Sequence, residues 1–283
     1  MGTSSEHRNS EPVRVARRPA PPADAVLWEP GERWVRATKA GTTVVDSRRA
    51  RLVWEPGRPV PLYAFPEDDV RTDLLRPAAR PPAAGRHPGA TASYDLVVGG
   101  EVIPDAAWSL PGADLAGYLV FAWFGRDVLD HWYEEETEVF VHPRDPHKRV
   151  DALPSSRHVR VEIEGTTVAD TRAPVLLFET GLPVRYYIPR EDVRFALLTP
   201  TAQSTRCPYK GVASEYWSWT GTGQVPPNVA WSYPDPLPAV RDITGRVAFF
   251  NEFVDLTVDG ARLERPVTDF SALGHAPRPP AAS

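Results

Sequence analysis

Residues 157–171 read Arg157-His-Val-Arg-Val-Glu-Ile-Glu-Gly-Thr-Thr-Val-Ala-Asp-Thr171. Apolar and polar side chains alternate from Val159 to Glu164, stop at Gly165 and resume at Thr167. A period of two marks a half-buried strand, and a glycine between two such runs marks a hairpin. The stretch decides the fold because the chain contains it twice. Gly41-Thr-Thr-Val-Val-Asp-Ser47 repeats Gly165-Thr-Thr-Val-Ala-Asp-Thr171 at an offset of 124 residues.

The correspondence extends outward. Arg33-Trp-Val-Arg matches Arg157-His-Val-Arg, and Trp54-Glu-Pro-Gly-Arg-Pro-Val matches Phe178-Glu-Thr-Gly-Leu-Pro-Val. After a one-residue gap Pro66-Glu-Asp-Asp-Val-Arg aligns with Pro189-Arg-Glu-Asp-Val-Arg. Ala107-Trp-Ser-Leu-Pro then aligns with Ala230-Trp-Ser-Tyr-Pro, and Gly117-Tyr-Leu-Val-Phe with Gly245-Arg-Val-Ala-Phe. Colinear matches over such a length identify an internal duplication.

Each copy reads as a run of short strands. Pro174-Val-Leu-Leu-Phe-Glu is an apolar run bounded by Pro and Thr-Gly, as expected of a strand buried on both faces. Arg185-Tyr-Tyr-Ile, Tyr216-Trp-Ser-Trp, Val247-Ala-Phe-Phe and Val254-Asp-Leu-Thr-Val are rich in aromatic and branched residues, which favour strands. Pro189 to Leu198 predicts a short helix, with proline and an acidic pair in its first turn and Val193, Leu197 and Leu198 on one face. The expected fold is mainly β (α+β): two homologous antiparallel β-rich domains with one or two short helices each. The expected boundaries are a disordered leader over 1–24, a degenerate first copy over 25–135, a linker over 136–156, a site-bearing second copy over 157–270 and a disordered tail over 271–283.

Composition narrows the function. Net charge is −5, with 32 basic and 37 acidic residues, which lacks the basic footprint of a nucleic-acid binder. The 32 prolines oppose long helices. A single cysteine, Cys207, excludes an intramolecular disulfide and a multi-cysteine zinc site. No apolar run reaches the roughly 20 residues of a membrane span, and the amino terminus has no signal-type apolar core. A soluble, cytoplasmic protein is expected, with neither nucleic acid nor membrane as partner; a homodimer is compatible with the sequence.

The repeat, together with Phe178-Glu-Thr-Gly-Leu-Pro, Tyr186-Tyr-Ile-Pro-Arg-Glu-Asp-Val and Cys207-Pro-Tyr-Lys-Gly, resembles a bacterial family. This is domain of unknown function 427, provisionally labelled nucleotidyltransferase-like, here in tandem form. Trp132-Tyr-Glu-Glu and Val141-His-Pro-Arg-Asp-Pro resemble the joining segment of tandem members. The resemblance covers about Arg33 to Pro266 and implies a small β-rich domain in each copy; it carries no established activity. Nucleotidyl transfer needs a glycine-rich phosphate cradle and paired carboxylates for magnesium. The sequence has no such glycine pattern, and Glu191-Asp192 and Asp68-Asp69 fall in the first turns of predicted helices, where capping explains them.

Candidate chemistry gathers in the second copy. Cys207 with Lys210 nearby has the makings of an activated thiol nucleophile, against the competing reading of a small buried cysteine before a turn. Lys210 is alternatively suited to an anionic ligand group. Glu179, at the end of an apolar strand, is a candidate general acid/base, although its recurrence as Glu55 also fits a turn-capping role. Asn251 and Glu252 stand where the first copy has Trp123 and Phe124, which suggests a polar pocket where the first copy is filled. The candidate catalytic set is therefore Glu179, Cys207, Lys210 and Glu252. The candidate ligand-binding set is Tyr187, Tyr209, Trp231 and Asn251, with no metal and no cofactor. His142, Asp145 and His147 fit no zinc spacing and read as linker, and Glu134-Glu-Glu as a solvated acidic run. The leading function is binding of a small polar or aromatic metabolite, with cofactor-independent acid/base catalysis left open. The alternative from another class is a non-catalytic scaffold or interaction module, with nucleotidyl transfer behind both.

Overall fold

A computed structural model of the chain describes residues 25–79, 87, 90–123, 128–223 and 225–275. The expected leader, and the tail beyond residue 275, lie outside them. The chain divides into two compact units, with the boundary between His147 and Lys148.

The first unit contains β1 (Leu27–Pro30), β2 (Val35–Lys39), β3 (Thr42–Ser47), β4 (Arg51–Trp54), β5 (Leu62–Pro66) and β6 (Leu75–Pro77). It continues with β7 (Ala92–Val98), β8 (Glu101–Ser109), β9 (Tyr118–Phe121), β10 (His131–Glu134) and β11 (Thr137–Val139). The second unit opens with β12 (Val150–Pro154), β13 (Val159–Ile163), β14 (Thr166–Thr171), β15 (Val175–Glu179), β16 (Arg185–Tyr187) and β17 (Leu198–Thr201). Then come β18 (Thr205–Cys207), β19 (Gly211–Ala213), β20 (Glu215–Trp219), β21 (Ala230–Ser232), β22 (Val247–Phe249), β23 (Asp255–Val258) and β24 (Ala261–Arg262).

The duplication holds at the level of topology. The first unit has a main sheet ordered β1-β4-β5-β9-β8-β7-β6 and a smaller one ordered β11-β10-β2-β3. In the second unit β12-β15-β16 and β17-β20-β21-β22 are joined by an antiparallel bridge between Ile188 and Val247. The result is β12-β15-β16-β22-β21-β20-β17, the same order, beside a small sheet β14-β13-β23-β24. Register agrees as well: Leu52 faces Tyr63 as Leu176 faces Tyr186. The β18–β19 hairpin is an additional two-stranded element of the second unit.

The stretch around Gly165 forms the predicted hairpin. Ile163 pairs with Thr166, so Glu164 and Gly165 are the two loop residues, both at positive φ (51° and 75°). Ala40 and Gly41 repeat this at 47° and 74°. Two left-handed residues make the type I′ turn whose twist matches antiparallel strands, and glycine takes the second position without strain. Both hairpins carry a register shift at equivalent places, Ala37/Thr38 and Val161/Glu162.

Three expectations are corrected. Pro189 to Leu198 is not one helix but two 3-10 turns, Arg190–Asp192 and Phe195–Leu197, with Val193 extended between them. Val193 bridges to Ala169, and the Arg194 N–H donates to the Val168 carbonyl, so sheet pairing takes the backbone groups a helix would need. The same happens in the first unit, where Val70 bridges to Val45. The segment 136–156 carries β11 and β12, and β12 is the counterpart of β1. Glu134 is likewise not solvated. It is buried, accepts the Tyr63 hydroxyl at 2.9 Å and pairs with Arg33 at 2.9 Å and Arg144 at 2.8 Å.

Alternation divides the core of the second unit into two layers. Leu176, Tyr186, Ile188, Trp217 and Val247 pack in one cluster with Val159, Val161 and Leu256 of the small sheet. Val175, Leu177, Tyr187, Trp231 and Tyr233 face the opposite way, packed with Val240 and Ile243 of the 3-10 segment Pro238–Ile243 and with Ala213 of the extra hairpin. The chemistry lies on this second face.

Candidate functional site

Glu179 ends β15, two residues beyond Leu177 and therefore on the same face, while Phe178 between them is 40% exposed. Its carboxylate is enclosed, with the residue 8% exposed. Lys210 Nζ lies 2.5 Å from Oε2 and Lys148 Nζ 3.0 Å from Oε1. Lys210 belongs to the turn of the β18–β19 hairpin, in which Cys207 pairs with Gly211. Gly211 has φ of 95°, a backbone state that glycine adopts freely, and the Lys210 carbonyl accepts the Leu237 N–H at 3.0 Å. These two constraints hold the lysine over the sheet. Lys148 stands two residues before β12, with its ammonium 5.3 Å from the centre of the Tyr209 ring.

Behind the ion pair the wall is aromatic. Tyr187 is fully buried, and Trp231 Nε1 donates to its hydroxyl at 3.3 Å with the rings edge to face at 6.4 Å. Tyr233 is 5% exposed, and its hydroxyl has no hydrogen-bond partner among the described residues. The Tyr216 hydroxyl shares a hydrogen bond with Thr205 Oγ1 at 2.6 Å. Cys207, a free thiol of intermediate exposure, lies within electrostatic range of Lys210, Tyr187 and Tyr233.

Burial works against every charge here, and the ion pair overcomes it. Desolvation pushes the Glu179 carboxyl up, but Lys210 and Lys148 together hold it below the ordinary value. Desolvation likewise opposes the Lys210 cation; Cys207 and Glu179 outweigh it and keep the ammonium protonated well above its usual range. Burial pushes the Tyr187 phenol up to about 12, and the Tyr233 phenol also rises for that reason. At neutral pH the two lysines are cationic and Glu179 anionic, walled by neutral phenols, with the Cys207 thiol beside them.

Glu252 and Asn251 belong to a different set of contacts. Glu252 takes a two-pronged ion pair from Arg185 at 2.6 and 2.8 Å, and its Oε1 also accepts the Thr268 hydroxyl at 2.6 Å. The Arg185 guanidinium sits 5.5 Å from the Phe250 ring and 5.7 Å from those of Trp231 and Phe270. Asn251 Nδ2 donates to the Val184 carbonyl at 2.8 Å, and its Oδ1 is buried without a partner among the described residues. The polar substitution of Trp123 and Phe124 by Asn251 and Glu252 is thus answered by Arg185, whose first-copy counterpart is Leu62. An internal ion pair, with both carboxylate oxygens engaged, stands where a pocket wall was expected.

Glu179, Cys207, Lys210, Tyr187, Tyr209 and Trp231 are brought to one face. Sequence reasoning missed Lys148, Tyr233 and Arg185. Lys148 lies in the segment whose sequence reads as a linker, and Tyr233 stands out in the sequence only within the Ala230-Trp-Ser-Tyr-Pro match. A charged residue beside Tyr186 and Tyr187 in a buried strand was the available signal for Arg185.

The first copy shows what the second has exchanged. Glu55, fully buried, accepts Trp108 Nε1 at 2.8 Å and Arg58 Nε at 2.7 Å, with His87 Nδ1 at 3.5 Å. Trp108 corresponds to Trp231, and Ala64 to Tyr187 by register. With alanine there, the indole N–H reaches the glutamate directly. In the second copy Tyr187 takes that N–H and Glu179 turns to the lysines. His142, Asp145 and His147 do not converge: His142 Nδ1 contacts the Pro143 carbonyl, Asp145 accepts the His147 backbone N–H, and the His147 ring pairs with Glu29. No cluster of three or more metal-ligating side chains occurs among the described residues, and none of their helices is long and apolar enough to cross a membrane.

Fold and site together define a tandem antiparallel β protein whose copies share a frame and differ in the polar cluster on the face of the main sheet. The family described as domain of unknown function DUF427 matches residues 27–135 and again 151–260, one match per unit. The chain belongs to that family. No curated protein matches it.

Proposed function

We propose that the second unit binds a small polar or aromatic metabolite at the Glu179–Lys210 cluster, in a soluble cytoplasmic protein. The supporting observation is the contrast between copies. The buried glutamate of the first is consumed by Trp108, Arg58 and His87. That of the second is matched to two lysines, one on a hairpin that also carries the half-buried Cys207. Buried polar groups converging on an aromatic wall are the usual make-up of a ligand site. Binding is favoured over acid/base turnover by Glu179, because a carboxylate clamped between two ammonium groups is poorly matched to proton transfer near neutral pH.

The test is a fragment screen by two-dimensional NMR on the full chain. Hits are expected to shift the amides of Cys207, Lys210 and Tyr233. Hits that perturb only the first unit, or none that perturb these residues, would remove the proposal.

A further inference from the structure

We infer that the group this site captures is an oxyanion, a carboxylate or a phosphate ester, carried on a compact aromatic body. The inference rests on the reading of the Glu179–Lys210 cluster as a ligand site and concerns what chemistry fits it. The cluster has a surplus of donors. Of the three N–H bonds of Lys210, one is directed at Glu179 Oε2, and no other acceptor meets its ammonium among the described residues. The Tyr187 hydroxyl accepts from Trp231, which leaves its own proton unspent. Tyr233 is 5% exposed, and its hydroxyl, which bonds to nothing described, is not sealed from solvent. Both Glu179 oxygens, by contrast, are already engaged by cations.

Donors gathered beside the ion pair with no protein acceptor are placed to meet one that arrives from outside. Charge gives the same sign. Two lysines face one carboxylate and the Cys207 thiol, a set that receives an anion more readily than an ammonium. Tyr209, half-buried at the hairpin turn beside Lys148, supplies ring surface for an aromatic body, backed by the core rings of Trp231 and Tyr216. The first copy lacks this surplus, since Arg58 and Trp108 both spend a donor on Glu55 and Ala64 offers none.

Tyr233→Phe isolates the idea, because the lost hydroxyl makes no internal hydrogen bond and its removal leaves nothing unpaired. Isothermal titration of the full chain at pH 7 and low salt would use benzoate, phenyl phosphate, benzamide and benzylamine. Benzoate or phenyl phosphate is expected to bind at least tenfold more tightly than benzamide and benzylamine, and the preferred anion distinguishes carboxylate from phosphate ester. Tyr233→Phe is expected to weaken that anion about tenfold or more, as loss of a hydrogen bond to a charged group does, with a thermal midpoint no lower than wild type. Equal or tighter binding of benzamide or benzylamine overturns the inference, as does silence from both anions at millimolar concentration or an unaltered anion affinity in Tyr233→Phe. If uncharged fragments still shift Cys207 and Lys210 amides in the NMR screen, the oxyanion inference fails while the ligand site stands. If nothing shifts them, the site itself is withdrawn.

Discussion

A carboxylate as enclosed as that of Glu179 stays ionised because two ammonium groups touch it, and the cost of disturbing that balance is asymmetric. Glu179→Gln would leave Lys210 and Lys148 facing each other with no anion between them. Removing one partner of a buried ion pair typically costs several kcal/mol, so urea denaturation should show a loss of about 3 kcal/mol. The pH dependence follows from the depressed carboxyl. Its folded-state pKa lies below the unfolded one, so its contribution is fully present above the unfolded value and is lost as pH falls through the folded value. Wild type should therefore lose more of its urea midpoint between pH 6 and pH 3 than Glu179→Gln does. Parallel acid curves would show that Glu179 adds nothing through its charge. Single residues were legible where strand period and composition marked them, as with Glu179 at a strand end and Lys210 beside the only cysteine. Their pairing was not legible, because a contact between residues 31 apart in the chain leaves no periodic trace. Lys148 was hidden for the same reason.

At the level of the element, the two copies constitute a natural exchange of core chemistry. Leu62 and Arg185 occupy the same register on β5 and β16, and Phe124 in the sequence corresponds to Glu252. Two apolar residues in the first sequence stand where the second copy has an ion pair. Arg185→Leu alone strands the buried Glu252 and should cost about 3–5 kcal/mol of unfolding free energy. The double change Arg185→Leu with Glu252→Phe installs the first copy's residues at both positions and should recover at least half of that loss, since apolar replacement of a buried ion pair is often neutral. A double mutant no more stable than Arg185→Leu would show that the copies do not share an exchangeable core. Hairpins respond to simpler rules. Gly165→Ala places a Cβ at φ of 75° and should lower stability by about 1 kcal/mol, and Gly41→Ala similarly at 74°. Both hairpins were legible because glycine, period and I′ geometry agree. The helix predicted over Pro189 to Leu198 was not, because the amphipathic spacing of Val193 and Leu197 is also met by two 3-10 turns with a bridged valine between them. β12 escaped notice because Pro154 and Leu153 end it exposed, leaving no clear alternation.

For the molecule as a whole, the repeat made the architecture readable before any element was placed, and it leads to the last prediction. Every strand pairing described falls on one side of the His147–Lys148 boundary, and the apolar clusters do the same. A sheet that needs no strand from its neighbour, closed over its own core, meets the requirement for independent folding. Residues 25–147 and residues 148–283, produced separately, should each give a β-type circular dichroism spectrum and a cooperative urea transition. The two pieces should then part company in chemistry. Lys148, Glu179, Tyr187, Cys207, Lys210 and Tyr233 all lie in the second piece, so the fragment-induced shifts at Cys207 and Lys210 in the full chain should recur in residues 148–283 with affinities within about threefold, a change of less than 1 kcal/mol. Residues 25–147, with Glu55 already matched by its own cations and indole, should bind none of those fragments. Loss of binding in a folded second piece would mean that the site depends on the first copy, and the division into frame and chemistry would have to be redrawn across the boundary.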